Sequence, residues 1–279
     1  MSYSAEISRN NPGCFIFLVD QSASMVDPIG RSEVPRKKSE VVADAINRLL
    51  TELAIKCAKE EGVRDYFHVA VIGYGQNVGS AFQGGLAGRE LIPLSEVATN
   101  PARIEERIKK VSDNAGGLVD TSVTFPIWME PVSNNGTPMC RALEFADSLV
   151  EKWVGQHRNC FPPIVLNLTD GEANDGDPAG PAATIRTRAT TDGSTLMFNL
   201  HVSGKSFDPV IFPDDSTALP DLYARKLFSM SSPLPSHMIS YAGQLGLRTG
   251  DGARGFVYNA DITAIVRFLE IGTRVKELR

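Results

Sequence analysis

Asp20, Ser22 and Ser24 stand in the pattern DxSxS at the end of the apolar run Cys14 to Val19. One carboxylate and two hydroxyls on a tight loop are hard oxygen donors of the kind that suits Mg²⁺ or Mn²⁺. Between Asp20 and Ser24 no sulfur or imidazole accompanies them. Two later stretches add donors: Thr137 in NGTPMC, and Asp170 at the end of PIVLNLTD. Each of these residues also has a plainer use. Asp and Ser cap helices wherever a strand turns into one, and a Thr before a Pro is an ordinary helix start. Capping and metal binding therefore stand side by side as readings of these five positions.

The elements that must position them are legible as hydrophobic patterns. Cys14 to Val19 is a short apolar run rich in branched and aromatic side chains, which predicts a strand buried on both faces with Asp20 at its carboxyl end. Pro163 to Asp170 predicts a second such strand. Ligands of open parallel sheets bind outside the carboxyl ends of strands, where strand order reverses, and both aspartates satisfy that rule. Val42, Ile46, Leu49, Leu53 and Cys57 trace one stripe of a helix over Lys37 to Ala58, and Tyr66 to Tyr74 follows as a strand, giving a βαβ unit. The glycine-rich stretch after Tyr74 predicts an edge hairpin or loose turn.

Leu94 to Val111 is expected to hold one or two helices with Ile104, Ile108 and Val111 as their stripe, and Gly117 to Pro131 an extra strand or hairpin with Trp128 in the core. Pro138 opens a helix whose buried face is Met139, Leu143, Ala146, Val150 and Trp153. The acidic loop with Glu172, Asp175 and Asp177 does not match a calcium loop and reads as solvated. Further short helices and the strands Ser194 to Val202 and Gly255 to Asn259 lead to a closing helix capped by Asp261. The pattern predicts an α/β fold, a doubly wound, mostly parallel sheet with helices on both faces. Residues 1–13 form an N-terminal segment and residues 14–279 a single domain carrying an extended insertion at about 79–134.

With 279 residues, 42% of them hydrophobic, the chain can bury a sizeable core. A formal charge of −5 gives no general footprint for nucleic acid. The basic clusters Arg36, Lys37, Lys38 and Arg107, Lys109, Lys110 read as solvated helix faces, with Asp44 paired to Arg48 and Glu52 to Lys56 on the outer surface of the first helix. Four widely spaced cysteines, Cys14, Cys57, Cys140 and Cys160, read as reduced core thiols, and His201 as a structural side chain. The first apolar run is too short for a signal peptide or membrane span, so a cytoplasmic protein with no membrane partner is expected.

Asp20, Ser22, Ser24, Thr137 and Asp170, in that order on three separated segments, make the chain resemble a von Willebrand factor A (vWA) domain with a metal-ion-dependent adhesion site, of the stand-alone bacterial intracellular type, from about Cys14 to about Arg274. Ala23 departs from the commoner glycine of the motif. The resemblance implies that Ser22 and Ser24 ligate Mg²⁺ or Mn²⁺, that Thr137 binds directly in a ligand-competent state, and that Asp20 and Asp170 act largely through water. It also implies a non-enzymatic module that takes an Asp or Glu carboxylate from a protein partner, as an adaptor for an ATPase, kinase or phosphatase. Two rival readings remain. One is a Mg-dependent phosphohydrolase with Asp20 as nucleophile, although the haloacid dehalogenase pattern wants an Asp where Ser22 stands and no lysine or general acid is evident nearby. The other is a structural subunit whose metal site no longer functions, with Thr137 as a cap and Ser22 as a loop hydrogen bonder.

Overall fold

Gly13–Asp20 forms β1, buried at all eight positions. A computed structural model describes residues 3–29, 35–112, 118–203 and 208–274. The side chains of β1 divide by alternation: Phe15, Phe17 and Val19 enter one core, Cys14, Ile16 and Leu18 the other. This two-faced burial is what a run with no polar positions requires. After α1 (Lys38–Cys57) the chain returns as β2 (Phe67–Tyr74), parallel to β1 on one side. Two short strands, β3 (Val78–Ser80) and β4 (Ile92–Pro93), then pair antiparallel with β2, and β4 leads into α2 (Leu94–Thr99).

The chain comes back to the other side of β1 through a hairpin of β5 (Arg103–Ser112) and β6 (Leu118–Ile127), then α3 (Met139–Gln156) and β7 (Ile164–Thr169). Then follow α4 (Ala179–Thr187), β8 (Leu196–Val202), β9 (Val210–Ile211), α5 (Leu222–Met230), α6 (Ser236–Gln244), β10 (Phe256–Ala260) and α7 (Ile262–Gly272). The sheet order is β9-β10-β8-β7-β1-β2-β3, with β4 also on β2, and β10, β8, β7, β1 and β2 are mutually parallel. Val42 and Ile46 of α1 share a core with Ile265 and Phe268 of α7, while Leu143 and Val150 of α3 share the opposite one with Ile185 of α4 and Leu227 of α5. This is the expected doubly wound sheet covered on both faces. The winding reverses between β1 and β7, so the crevice at their carboxyl ends is the switch point.

The region between Leu94 and Val111 departs from expectation. Only Leu94–Thr99 is helical, and Ile104, Ile108 and Val111 lie in β5 of the two-stranded hairpin. A spacing of four keeps two residues on one face of a helix, but being even it also keeps them on one face of a strand. Ile104 and Ile108 are 62% and 77% exposed, so they were never a buried helical stripe. The hairpin is tied to α1 by Arg107, whose guanidinium bonds Asp44 Oδ1 at 2.9 Å and lies 3.7 Å from the Phe125 ring centroid. Asp44 takes Arg36 on its other oxygen, and Arg48 pairs with Glu52 instead. Arg36–Lys37 is a short extended piece, Lys38 is a buried residue at the start of α1 and Arg107 is on a strand, so neither basic cluster is a solvated helix face. Trp128 is buried as expected, and its Nε1 donates to the Val97 carbonyl.

Candidate metal centre

Asp20 closes β1 with both carboxylate oxygens engaged. Oδ1 accepts from the Ser22 amide at 2.8 Å, which bends the loop into its turn, and Oδ2 accepts from Thr169 Oγ1 at 2.7 Å, which ties β1 to the last residue of β7. Asp20 is 1% exposed. The next donors stand one after another: Ser22 Oγ is 3.1 Å from Ser24 Oγ, and Ser24 Oγ donates to Asp170 Oδ1 at 2.7 Å. Thr137 reaches the same place from the start of α3. A side-chain carbon on Gly171 would lie 3.7 Å from Thr137 Oγ1 and 3.9 Å from Ser24 Oγ, so the bare Gly171 backbone faces the gap between these hydroxyls.

The two loops that carry these groups are fastened to each other through the backbone. Ala23 N donates to the Asn135 carbonyl at 2.9 Å, and Asn134 N donates to the Gln21 carbonyl at 2.7 Å. Asn135 takes a left-handed φ of 59° to make this turn, a conformation asparagine tolerates better than most residues. Gly75 is glycine for a steric reason, since a Cβ there would lie 2.8 Å from the Gln21 carbonyl oxygen. Ser22, Ser24, Thr137, Asp20 and Asp170 thus lie together around one crevice.

The capping alternative does not describe them. The α3 helix starts at Met139 with no side-chain bond from its cap position, and its free amides at Cys140 and Arg141 donate to Asp175 Oδ1 and Oδ2, each at 3.0 Å. Asp175, read from sequence as part of a solvated loop, is the cap of α3, where its charge also suits the positive end of the helix. Thr137 contributes its carbonyl, which accepts from Met139 N and Asn174 N, and leaves its hydroxyl to the crevice. Ser22 likewise makes no side-chain cap to the single turn Ala23–Val26 that follows it.

Three hydroxyls and two carboxylates fit a small hard cation. Ligand oxygens on adjacent corners of a magnesium octahedron are about 3 Å apart, because each lies about 2 Å from the ion at right angles. The 3.1 Å separation of Ser22 Oγ and Ser24 Oγ matches such an edge. Ser24 has one proton and gives it to Asp170, which leaves lone pairs to face a cation. Among the described residues no group of three or more His, Cys, Asp or Glu is placed to hold a metal, so a site here depends on its hydroxyls.

Burial pushes the Asp20 carboxyl up to about 6, and the charge of Asp170 adds to this, while hydrogen bonds from Ser22 and Thr169 work against it. A cation beside Asp20 would restore the ionised form. Tyr223 of α5 donates its hydroxyl to the Gly171 carbonyl, and burial raises its phenol well above the ordinary range. Lys38, the first residue of α1, corrects the expectation that no lysine stands near: its Nζ is 2.8 Å from Asp170 Oδ2. Nothing in the pattern pointed to Lys38, which follows Ser24 by 14 residues across a loop of unpatterned sequence. Thr169 was readable as a polar side chain in a mostly apolar strand next to Asp170, a place where a partner is obligatory.

No family model matches this chain, and neither does any curated protein. Solved structures do. A von Willebrand factor type A protein from Catenulispora acidiphila is 15% identical with a TM-score of 0.47, over 95% of this chain and 43% of that one. Proximal thread matrix protein 1 from the mussel byssus, with a zinc-occupied MIDAS motif, is 12% identical with a TM-score of 0.43, over 96% of this chain and 48% of that one. The vWF domain of the type V pili tip protein Mfa5 from Porphyromonas gingivalis is 11% identical with a TM-score of 0.44, over 94% of each chain. The chain therefore spans under half the length of the first two of these.

Proposed function

We propose that this chain is a vWA domain whose metal-ion-dependent adhesion site holds a divalent cation, Mg²⁺ or Mn²⁺, and through it a carboxylate of a protein partner. The observation that carries this reading is the gathering of hydroxyls at the sheet's switch point: Ser24 bonds Asp170 and lies 3.1 Å from Ser22 Oγ, Thr137 Oγ1 faces the same gap beside Gly171, and Asp20 is buried next to Ser22. Ser22, Ser24 and Thr137 would hold the ion directly, and Asp20 and Asp170 through water. A bound divalent ion supplies an electrophilic position that an anionic oxygen from outside completes. The chain's own part is to keep neutral oxygens next to the ion, so that its charge is not quenched, and to fix them on a rigid sheet edge. Ser24 is exposed, which leaves the position open to a partner's Asp or Glu.

The role we propose is that of an adaptor in a bacterial intracellular complex built around an ATPase, kinase or phosphatase. The four free, buried cysteines suit a reducing cytoplasm, and among the described residues no helix is long and apolar enough to cross a membrane. Lys38 gives the phosphohydrolase reading one of the groups it lacked. Against that reading, Asp20 is 1% exposed at the closed end of its strand, which leaves a phosphate ester no approach to its carboxylate. The experiment is calorimetric titration of Mg²⁺ and Mn²⁺ into chelator-treated protein, wild type beside Asp20→Ala. Binding by wild type alone is expected; equal binding by both proteins, or turnover of p-nitrophenyl phosphate that vanishes in Asp20→Ala, would overturn the reading.

A further inference from the structure

Lys38 is 8% exposed, and a lysine so deeply placed needs a partner for its charge. Its Nζ lies 2.8 Å from Asp170 Oδ2, 3.5 Å from Asp27 Oδ2 and 3.5 Å from the Ser24 carbonyl oxygen. The Asp170 carboxylate is fully covered, whereas Asp27 is 60% exposed and screened by water. Asp170 is therefore the true counter-charge. One of its oxygens takes the proton of Ser24, a metal-facing hydroxyl, and the other takes the ammonium. The backbone fixes the lysine there, because Lys38 N donates to the Asp27 carbonyl at 2.9 Å and the residue starts α1.

We infer that Lys38 sets the charge of the centre: it is a built-in cation that shares Asp170 with the divalent ion, weakens the hold on that ion, and biases the loaded site toward an anionic ligand. The inference rests on the metal-centre reading above. Its logic is charge counting at short range. Asp20 and Asp170 offset a divalent ion, and Lys38 then leaves one positive charge in excess in a poorly solvated crevice, where such an excess is felt strongly. An outside carboxylate cancels it. With its side chain only 10% exposed, Lys38 acts through Asp170 and is a positioning residue.

The test is calorimetric titration of Mn²⁺ into chelator-treated full-length protein, comparing wild type with Lys38→Met, Lys38→Gln and Lys38→Arg, each first checked for native circular dichroism. Lys38→Met and Lys38→Gln should bind Mn²⁺ at least about tenfold more tightly, and Lys38→Arg like wild type. A tightening cannot come from structural damage, which only loosens a site. Acetate, followed by water-proton relaxation of the Mn²⁺-loaded proteins, should bind the Met and Gln variants more weakly than wild type. If folded Lys38→Gln binds Mn²⁺ no more tightly than a wild type that binds it well, the charge-setting role is wrong. If wild type and every variant fail to bind, the metal-centre reading itself falls and takes this inference with it.

Discussion

Asp20 serves the fold and the site with one carboxylate, and its two hydrogen bonds explain why the strand it ends can be fully apolar and still deliver chemistry. Burial sets a pH signature. The carboxyl moves from 3.8 to about 6 in the folded chain, so between those values the folded state binds the proton that the unfolded state has released. Its contribution to stability is complete below 3.8 and is lost as pH rises through about 6. In urea unfolding of chelator-treated protein, wild type should lose stability relative to Asp20→Asn between about pH 4 and pH 7. A pH-independent difference would contradict the assignment. Ser24→Ala removes a hydroxyl that both bonds Asp170 and faces the proposed ion, and calorimetry should show Mn²⁺ affinity down by about tenfold or more. The residues that sequence reading chose were those whose type and strand-end position carry chemistry by themselves. Lys38 was not among them, because only the placement of the start of α1 beside the end of β7 brings it to Asp170.

Asn47 shows how an element is held by a residue that no periodicity marks. It lies on the buried side of α1, donates to the Met129 carbonyl and accepts from the Trp128 and Met129 amides, so it anchors the exit of the hairpin as a strand neighbour would. Asn47→Leu would leave three buried backbone groups unpaired and should lower stability by about 3 kcal/mol or more, read as a shift of the urea midpoint. At α3, Asp175→Ala removes the cap of two amides and should cost about 1 kcal/mol, with metal affinity falling if Thr137 is displaced with the helix start. A midpoint unchanged in Asp175→Ala would show that water caps the helix equally well. The strands and long helices were legible because core burial writes itself as an apolar run or stripe. The first strand of the hairpin was not, since exposed Ile104 and Ile108 have a spacing that both periods share and no core to arbitrate between them, whereas its partner Leu118–Ile127 falls in the stretch expected to be a strand or hairpin.

Across the whole molecule, the winding of the sheet makes the site: strand order reverses between β1 and β7, and Asp20 and Asp170 stand at that one edge. Order of this kind was readable from the alternation of strands and helices. The polar interior was not. Asn167 and Asn199 sit as polar positions inside two mostly apolar strands, and only the register of β7 with β8 places them side by side, where Asn167 also takes the Tyr74 hydroxyl and Asn199 donates to Ser231. Such a fully bonded chain of buried groups crosses beneath α3 and α5 and holds the sheet to a single register under the crevice. The central claim is that the hydroxyls of this crevice hold a divalent ion. Its most direct test is a crystal structure of the protein grown with Mn²⁺, with anomalous data collected near the manganese edge. The account predicts an anomalous peak about 2 Å from Ser22 Oγ and Ser24 Oγ, beside Thr137 Oγ1. At saturating Mn²⁺, a crevice with no such peak, or an ion held only by surface carboxylates elsewhere, would contradict it.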